Sequence, residues 1–266
     1  MINWALYKRE MKVSIKLLLI FGAIITMYVS CIISLYNPAT MEMLDSFIEA
    51  MPEIMAAVGM TSGAADLLGF MVSYLYGFIL LIFPMLFSIL RGHGLVAKYI
   101  DTGSMVYLVG APIKRRTIAM TQLSVLVSGI IILIAYTTVV EIVVAQILFP
   151  GQLQFSELMI LNLGLLFLHF SIGGICFGAS CIFSETKFSV LFGAGIPTIM
   201  YVFQMLASAG SGIGYMKYLS IFTLFDPNEL IAFESNVLLK IIFLLMAAFV
   251  FYSIGTAAFC KKDLYI

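Results

Sequence analysis

The chain has 266 residues, 62% of them hydrophobic and only 11% charged, with 14 Lys and Arg against 14 Asp and Glu. At a mean hydropathy of +1.11 it has too little polar surface to cover a soluble domain of that size, so the class it predicts is an all-α, polytopic membrane protein. The net charge of zero says nothing about nucleic acid, but the cations sit at particular loops and form no basic face, so no nucleic-acid partner is expected.

Residues 2–12 mix Trp4, Leu6, Tyr7 and Met11 with Lys8, Arg9 and Lys12. That mixture predicts an amphipathic elbow helix in the membrane interface, anchored by Trp4, Lys8 and Arg9. The first apolar run, 13–36, is long enough to span and carries no cleavable-signal pattern, so it is expected to stay. Asn37-Pro38 breaks it. Residues 39–66 then bring Glu42, Asp45, Glu49, Glu53 and Asp66 with no Lys or Arg. Glu42, Asp45 and Glu49 fall opposite Met41, Leu44, Ile48 and Met51, which predicts an amphipathic external helix, with Pro52 starting a second short one. This acidic, Met-rich loop reads either as a gate for a cationic substrate or as a solvated face over the outer leaflet.

Residues 67–90 are the second predicted span, with Pro84 in its inner half, where the ring frees one carbonyl and favours a kink. The loop 91–116 follows, and it is the most informative stretch of the chain. Arg91, Lys98, Lys114, Arg115 and Arg116 face a single anion, Asp101. Within it Asp101 or Thr102 is placed to cap a short helix carrying Met105, Leu108 and Val109 on one side, and Gly110 and Pro112 stop it. A small cytoplasmic helix with an apolar side in search of a partner is the expectation, with Lys114, Arg115 and Arg116 at the headgroups.

Four more spans complete the chain, at 118–149, 155–183, 188–209 and 236–260. The third exceeds what a hydrocarbon core needs and is expected to tilt or protrude. Ser184 to Lys187 is a tight turn, so spans four and five form a hairpin. Gly173, Gly174 and Gly178 on one and Gly193 and Gly195 on the other are expected to let helices approach closely. The segment 210–235, with Tyr218, Phe222, Phe225, Asp226, Pro227 and Glu229, is predicted to be half-buried, re-entrant or interfacial.

Twelve of the fourteen cations fall on one side of this six-span arrangement, leaving only Lys217 and Lys240 on the other. Both termini and the 91–116 loop are therefore expected in the cytoplasm of a bacterial cell, the protein being multi-pass in its plasma membrane. Recognisable chemistry is sparse. The Gly92/Gly94 pair lacks the following Gly-Lys of a phosphate loop, His93 and His169 have no His-Glu-x-x-His context, and no G-x-S-x-G surrounds a serine. Cys31, Cys176, Cys181 and Cys260 have no ligand-like spacing and read as small buried side chains. Two ionisable groups lie within spans, Glu141 and His169, and both are candidates for a transport pathway. The competing readings are that Glu141 sits at the outer interface and that a neighbouring carbonyl satisfies a neutral His169.

Three local patterns and their placement carry a family resemblance. Residues 103–115, Gly-Ser-Met-Val-Tyr-Leu-Val-Gly-Ala-Pro-Ile-Lys-Arg, resemble a G-T-x-x-x-L-L-x-x-P-I-x-R segment; Phe225-Asp226-Pro227-Asn228-Glu229 precedes the last span; and the chain closes on Phe259-Cys260-Lys261-Lys262-Asp263-Leu264. Together with the order of elbow, span, external loop, span, coupling loop and four spans, the chain resembles the membrane subunit of an ABC-2 type exporter. It departs from that family at Lys98-Tyr99-Ile100-Asp101, where glutamates are common. The resemblance implies a permease, non-enzymatic and without cofactor of its own, that pairs with a second permease copy. Two copies of a separate ATPase subunit would carry ATP and Mg and dock on a coupling helix through Asp101, Met105, Tyr107, Leu108 and Val109. The exported substrate would be a hydrophobic or amphipathic peptide, drug or lipid. The readings outside that family are a membrane sensor or immunity protein without transport, and a secondary transporter or channel.

Overall fold

Asn3 opens the first helix by accepting a hydrogen bond from the Leu6 N–H at 2.9 Å. In the computed structural model, which describes residues 2–60, 62, 64, 66–210, 214–233 and 236–263, this helix, α1 (Trp4–Ser34), runs without interruption. The elbow expected at 2–12 is thus the base of the first span and not a separate helix. No proline or glycine falls between Trp4 and Phe21 to break it. Its buried stripe, Leu6, Glu10, Ser14, Phe21, Ile25, Val29 and Ile33, continues at helical spacing from the first turn to the last.

Asn37 and Pro38 end α1 and start α2 (Pro38–Ala50), Asn37 capping the Thr40 N–H at 2.9 Å with proline in the first turn. As the spacing predicts, α2 turns Ile48, with Met41 and Leu44, onto Phe70 and Tyr74; Met51, expected on the same side, is exposed. After the short α3 (Pro52–Ala57), the second span differs from expectation. It starts as α4 (Leu67–Met71), capped by Asp66, widens into a π-turn over Val72–Tyr76, breaks at Gly77-Phe78, and resumes as α5 (Ile79–Leu95). The physical cause lies in the loop after α3. Gly59, at φ +77°, presses onto Gly77, where a Cβ would stand 2.5 Å from the Val58 carbonyl oxygen. Only backbone fits there.

Two one-turn helices follow, α6 (Ala97–Asp101) and α7 (Met105–Val109), and then the long spans α8 (Arg115–Leu148), α9 (Phe155–Ile182), α10 (Thr186–Ser208) and, after α11 (Pro227–Ile231), α12 (Val237–Lys261). Six helices are long and apolar enough to cross a membrane. The chain is a multi-pass α-helical protein, with no strand among the described residues. The segment expected to be half-buried forms 3-10 turns at Gly214–Leu219 and Ile221–Leu224, followed by α11. It buries Phe222, Phe225 and Leu230 while Tyr215 and Tyr218 face outward.

Helix α9 is the hub, packed against α5, α8, α10 and α12. It crosses α12 closely, a Cβ on Gly255 standing 3.0 Å from the Gly178 Cα. Gly195, by contrast with the other glycines expected to bring helices together, faces open space. Of the four cysteines, Cys176 and Cys181 are buried as expected, but Cys31 points outward from α1.

The cation-bearing helix ends gather at one end of the bundle. Lys262 Nζ donates to the Ile182 carbonyl at 2.9 Å and to the Cys181 carbonyl at 3.3 Å, terminating α9 with a positive charge. Arg115 Nη1 donates to the Lys262 carbonyl at 2.8 Å, and the Ala97 N–H to Ser180 Oγ at 2.9 Å. At the opposite end Lys240 pairs with Glu229. Leu264, the last residue of the closing motif, lies outside the described residues.

Candidate functional site

The short helices at the cation-rich end are built differently from the sequence expectation. Asp101 closes α6 and does not cap α7; the Thr102 N–H returns to the Lys98 carbonyl at 3.1 Å, and Gly103 takes φ +71°, which reverses the chain. Helix α7 starts after Ser104 without a side-chain cap, the Thr102 and Ser104 hydroxyls being paired with each other at 2.8 Å. Gly110 ends it as expected, its N–H on the Val106 carbonyl at 2.8 Å.

The apolar side expected to seek a partner is already occupied. Met105 is buried, and Leu108 and Val109 are half-buried against the bundle core. What faces outward is Tyr107, 84% exposed, with Val106 beside it and Asp101 nearby in the chain. Of the five residues the resemblance assigns to partner contact, Tyr107 and Asp101 are therefore on the outside; Met105, Leu108 and Val109 seat the helix.

Among the anchoring residues, Trp4, Lys8 and Arg9 are exposed on the first turns of α1. Trp4 stacks on Tyr7 at 5.2 Å between ring centres, and Lys8 Nζ lies 5.5 Å from the Trp4 ring. Lys114 and Arg116 are exposed, whereas Arg115 is spent on the Lys262 carbonyl.

Glu141 and His169 both face protein. Glu141 is fully buried on α8, so protein groups and not interfacial water surround it. Tyr76, on the π-turn, donates its hydroxyl to the two carboxylate oxygens at 2.9 and 3.0 Å, and Asn162 Nδ2 donates at 2.8 Å. Fixed neutral dipoles thus take the place of water around this carboxylate, and no cation pairs with it among the described residues. On its other side Tyr76 lines a cavity of about 350 Å³ with Tyr201, Gln204, Met205, Phe222 and Asp226, at the end of the bundle away from the cations.

His169 has a backbone partner, and Pro84 explains it. A residue at 84 with an N–H would bond the Leu80 carbonyl; proline has none, and His169 Nε2 donates there at 3.0 Å. The same substitution recurs on α10. Pro197 leaves the Gly193 carbonyl without its helical donor, and the Cys176 thiol donates to it at 3.2 Å. Both donors come from α9, about two turns apart, so the hub helix repairs the backbone of two neighbours.

One cluster escaped the sequence reading. Glu10 and Arg91 are buried together, with Arg91 Nη2 2.7 Å from Glu10 Oε2. Arg91 also donates from Nη2 to the Glu10 carbonyl at 3.0 Å and from Nε to Ser14 Oγ at 2.6 Å, and the Tyr99 hydroxyl donates to Glu10 Oε1 at 2.5 Å. The signal was present: Glu10 is the lone acid before Glu42, and it falls on the apolar stripe of α1. This cluster fastens the first helix to the α5–α6 junction.

Comparison with family models, with characterised proteins and with solved structures brings no match for this chain.

Proposed function

We propose that this chain is the permease subunit of an ATP-driven exporter of the ABC-2 type, paired with a second permease copy and with two copies of an ATPase that carries ATP and Mg. The observation that supports this reading is the setting of α7. A helix that merely rested on the inner leaflet would turn Met105, Leu108 and Val109 to lipid. Here those residues are taken up by the bundle, and a tyrosine that is 84% exposed projects from a seated base at the cation-rich end. Rigidly mounted aromatic side chains are the usual anchors of protein interfaces.

The cation asymmetry supports a cytoplasmic position for this end in a plasma membrane, with both termini inside. A substrate leaving at the far end meets the cavity beside Tyr76, whose walls of Tyr201, Met205 and Phe222 carry Gln204, Ser208, Asp226 and Asn228 as polar groups. Apolar walls with a few polar groups suit an amphipathic peptide, drug or lipid. His169 and Cys176, each committed to a carbonyl, hold the spans in shape, and Glu141 is the remaining pathway candidate.

The test is Tyr107→Ala combined with Val106→Ala, read by whether an ATPase subunit co-purifies with the chain from its native membrane. Loss of one aromatic anchor typically costs on the order of 2 kcal/mol, about a thirtyfold drop in affinity. The protein should remain in the membrane at its normal level. Undiminished ATPase binding together with undiminished transport would sink the coupling role.

A further inference from the structure

Arg91 uses two of its three nitrogens inside the protein. Nε and Nη2 are bound to Ser14 and Glu10, while Nη1 has no protein acceptor among the described residues although the side chain is buried. That nitrogen stands beside Gly94, where a Cβ would come within 3.6 Å of it. Both residues line a cavity of about 470 Å³ between the base of α1 and the α5–α6 junction. Lys98, Thr102 and Ser104 line its polar rim, and Val13 and Leu90, each about half exposed, extend from it along the helices toward the membrane interior. Glu10, the one carboxylate in the lining, has its oxygens engaged by Arg91 and Tyr99.

A buried guanidinium with one free nitrogen and an exposed ammonium form a donor set for a phosphate group, the Thr102 and Ser104 hydroxyls being committed to the Lys98 carbonyl and to each other. The apolar strip running from it matches a ligand with an acyl chain. We infer that this cavity binds the phosphate headgroup of an anionic membrane phospholipid, its chain lying along Val13 and Leu90. Because Thr102 and Ser104 immediately precede α7, the lipid contacts the segment that sets where α7 begins. The site is independent of the export reading, since it needs neither an ATPase nor a substrate.

Native mass spectrometry of the full chain in detergent tests this, with phosphatidylglycerol, phosphatidylcholine and inorganic phosphate as probes. Phosphatidylglycerol is expected to bind at least about fivefold more tightly than phosphatidylcholine, the worth of one basic contact near a headgroup. Lys98→Ala should remove about that factor and Gly94→Leu, which fills the cavity beside Nη1, should abolish the preference. Lys187→Ala, the same charge loss at an exposed site outside the cavity, should leave it intact. Equal binding of the two lipids overturns the site, as does an equal loss in Lys187→Ala. Displacement of phosphatidylglycerol by inorganic phosphate would overturn the lipid assignment in favour of a free anion. Should Gly94→Leu fail to fold, Lys98→Ala against Lys187→Ala still decides the outcome.

Discussion

Replacing Pro84 by alanine and His169 by leucine, singly and together, separates a structural histidine from a functional one. In the native protein His169→Leu strips the Leu80 carbonyl of its 3.0 Å donor while Pro84 offers no replacement. In the Pro84→Ala background the new amide returns to that carbonyl, so the same histidine change should be nearly harmless. His169 Nδ1 is buried without a partner, and relief of that cost occurs in both backgrounds and cancels. An orphaned buried acceptor costs about 1–3 kcal/mol, but hydrogen bonds between helices in membranes average nearer 0.6 and reach about 1.7 kcal/mol. The expected coupling is therefore on the order of 1 kcal/mol, a factor of about five in the unfolding equilibrium. Reversible unfolding of the four proteins in mixed micelles measures it. Effects that add to within about 0.3–0.5 kcal/mol would refute the pairing.

Glu141→Leu leaves the Tyr76 hydroxyl and Asn162 Nδ2 without their acceptor and should lower the melting temperature by several degrees, at about 2–4 °C per kcal/mol for a chain of this size; Glu141→Gln, which keeps one acceptor oxygen, should lose less, and identical melting temperatures would show that the cluster contributes nothing to stability. For orientation, a cysteine at Ser104 should be silent to an impermeant thiol reagent in intact cells and reactive in inverted vesicles, with Cys31 replaced by serine to remove the exposed native thiol. Labelling from outside would reverse the assignment of the cation-rich end.

The spans were legible because apolar run length and helix breakers act locally. Asn37-Pro38, Gly110 and the 184–187 turn stand where the residues themselves put them. What the sequence did not reveal depends on pairs far apart in the chain. The break at Gly77 needs Gly59 against it, and no periodicity within 67–90 encodes that neighbour. The continuity of α1 through residues 2–12 was hidden because cations and aromatics read as an interfacial composition, while the buried stripe through Glu10 required Arg91 to be acceptable to the eye. At α7 the apolar positions were found but not the bundle core that Met105, Leu108 and Val109 pack on, since periodicity gives a face and not what covers it. Glu141 and His169 were singled out by cost alone; the donors and the acceptor that settle them come from the π-turn, α9 and α5.

The uninterrupted α1 makes the first helix a rigid rod of 31 residues, about 46 Å from base to tip. Its base is clamped by Arg91 and Tyr99, and its tip leads directly into Asn37 and the helix α2. Such a rod acts as a lever. A tilt of about 5° imposed at the clamp displaces the tip by roughly 4 Å, about the width of a methylene group. A displacement of the short helices that tilted the clamp would therefore reach the acidic loop along α1 without any bend in that helix.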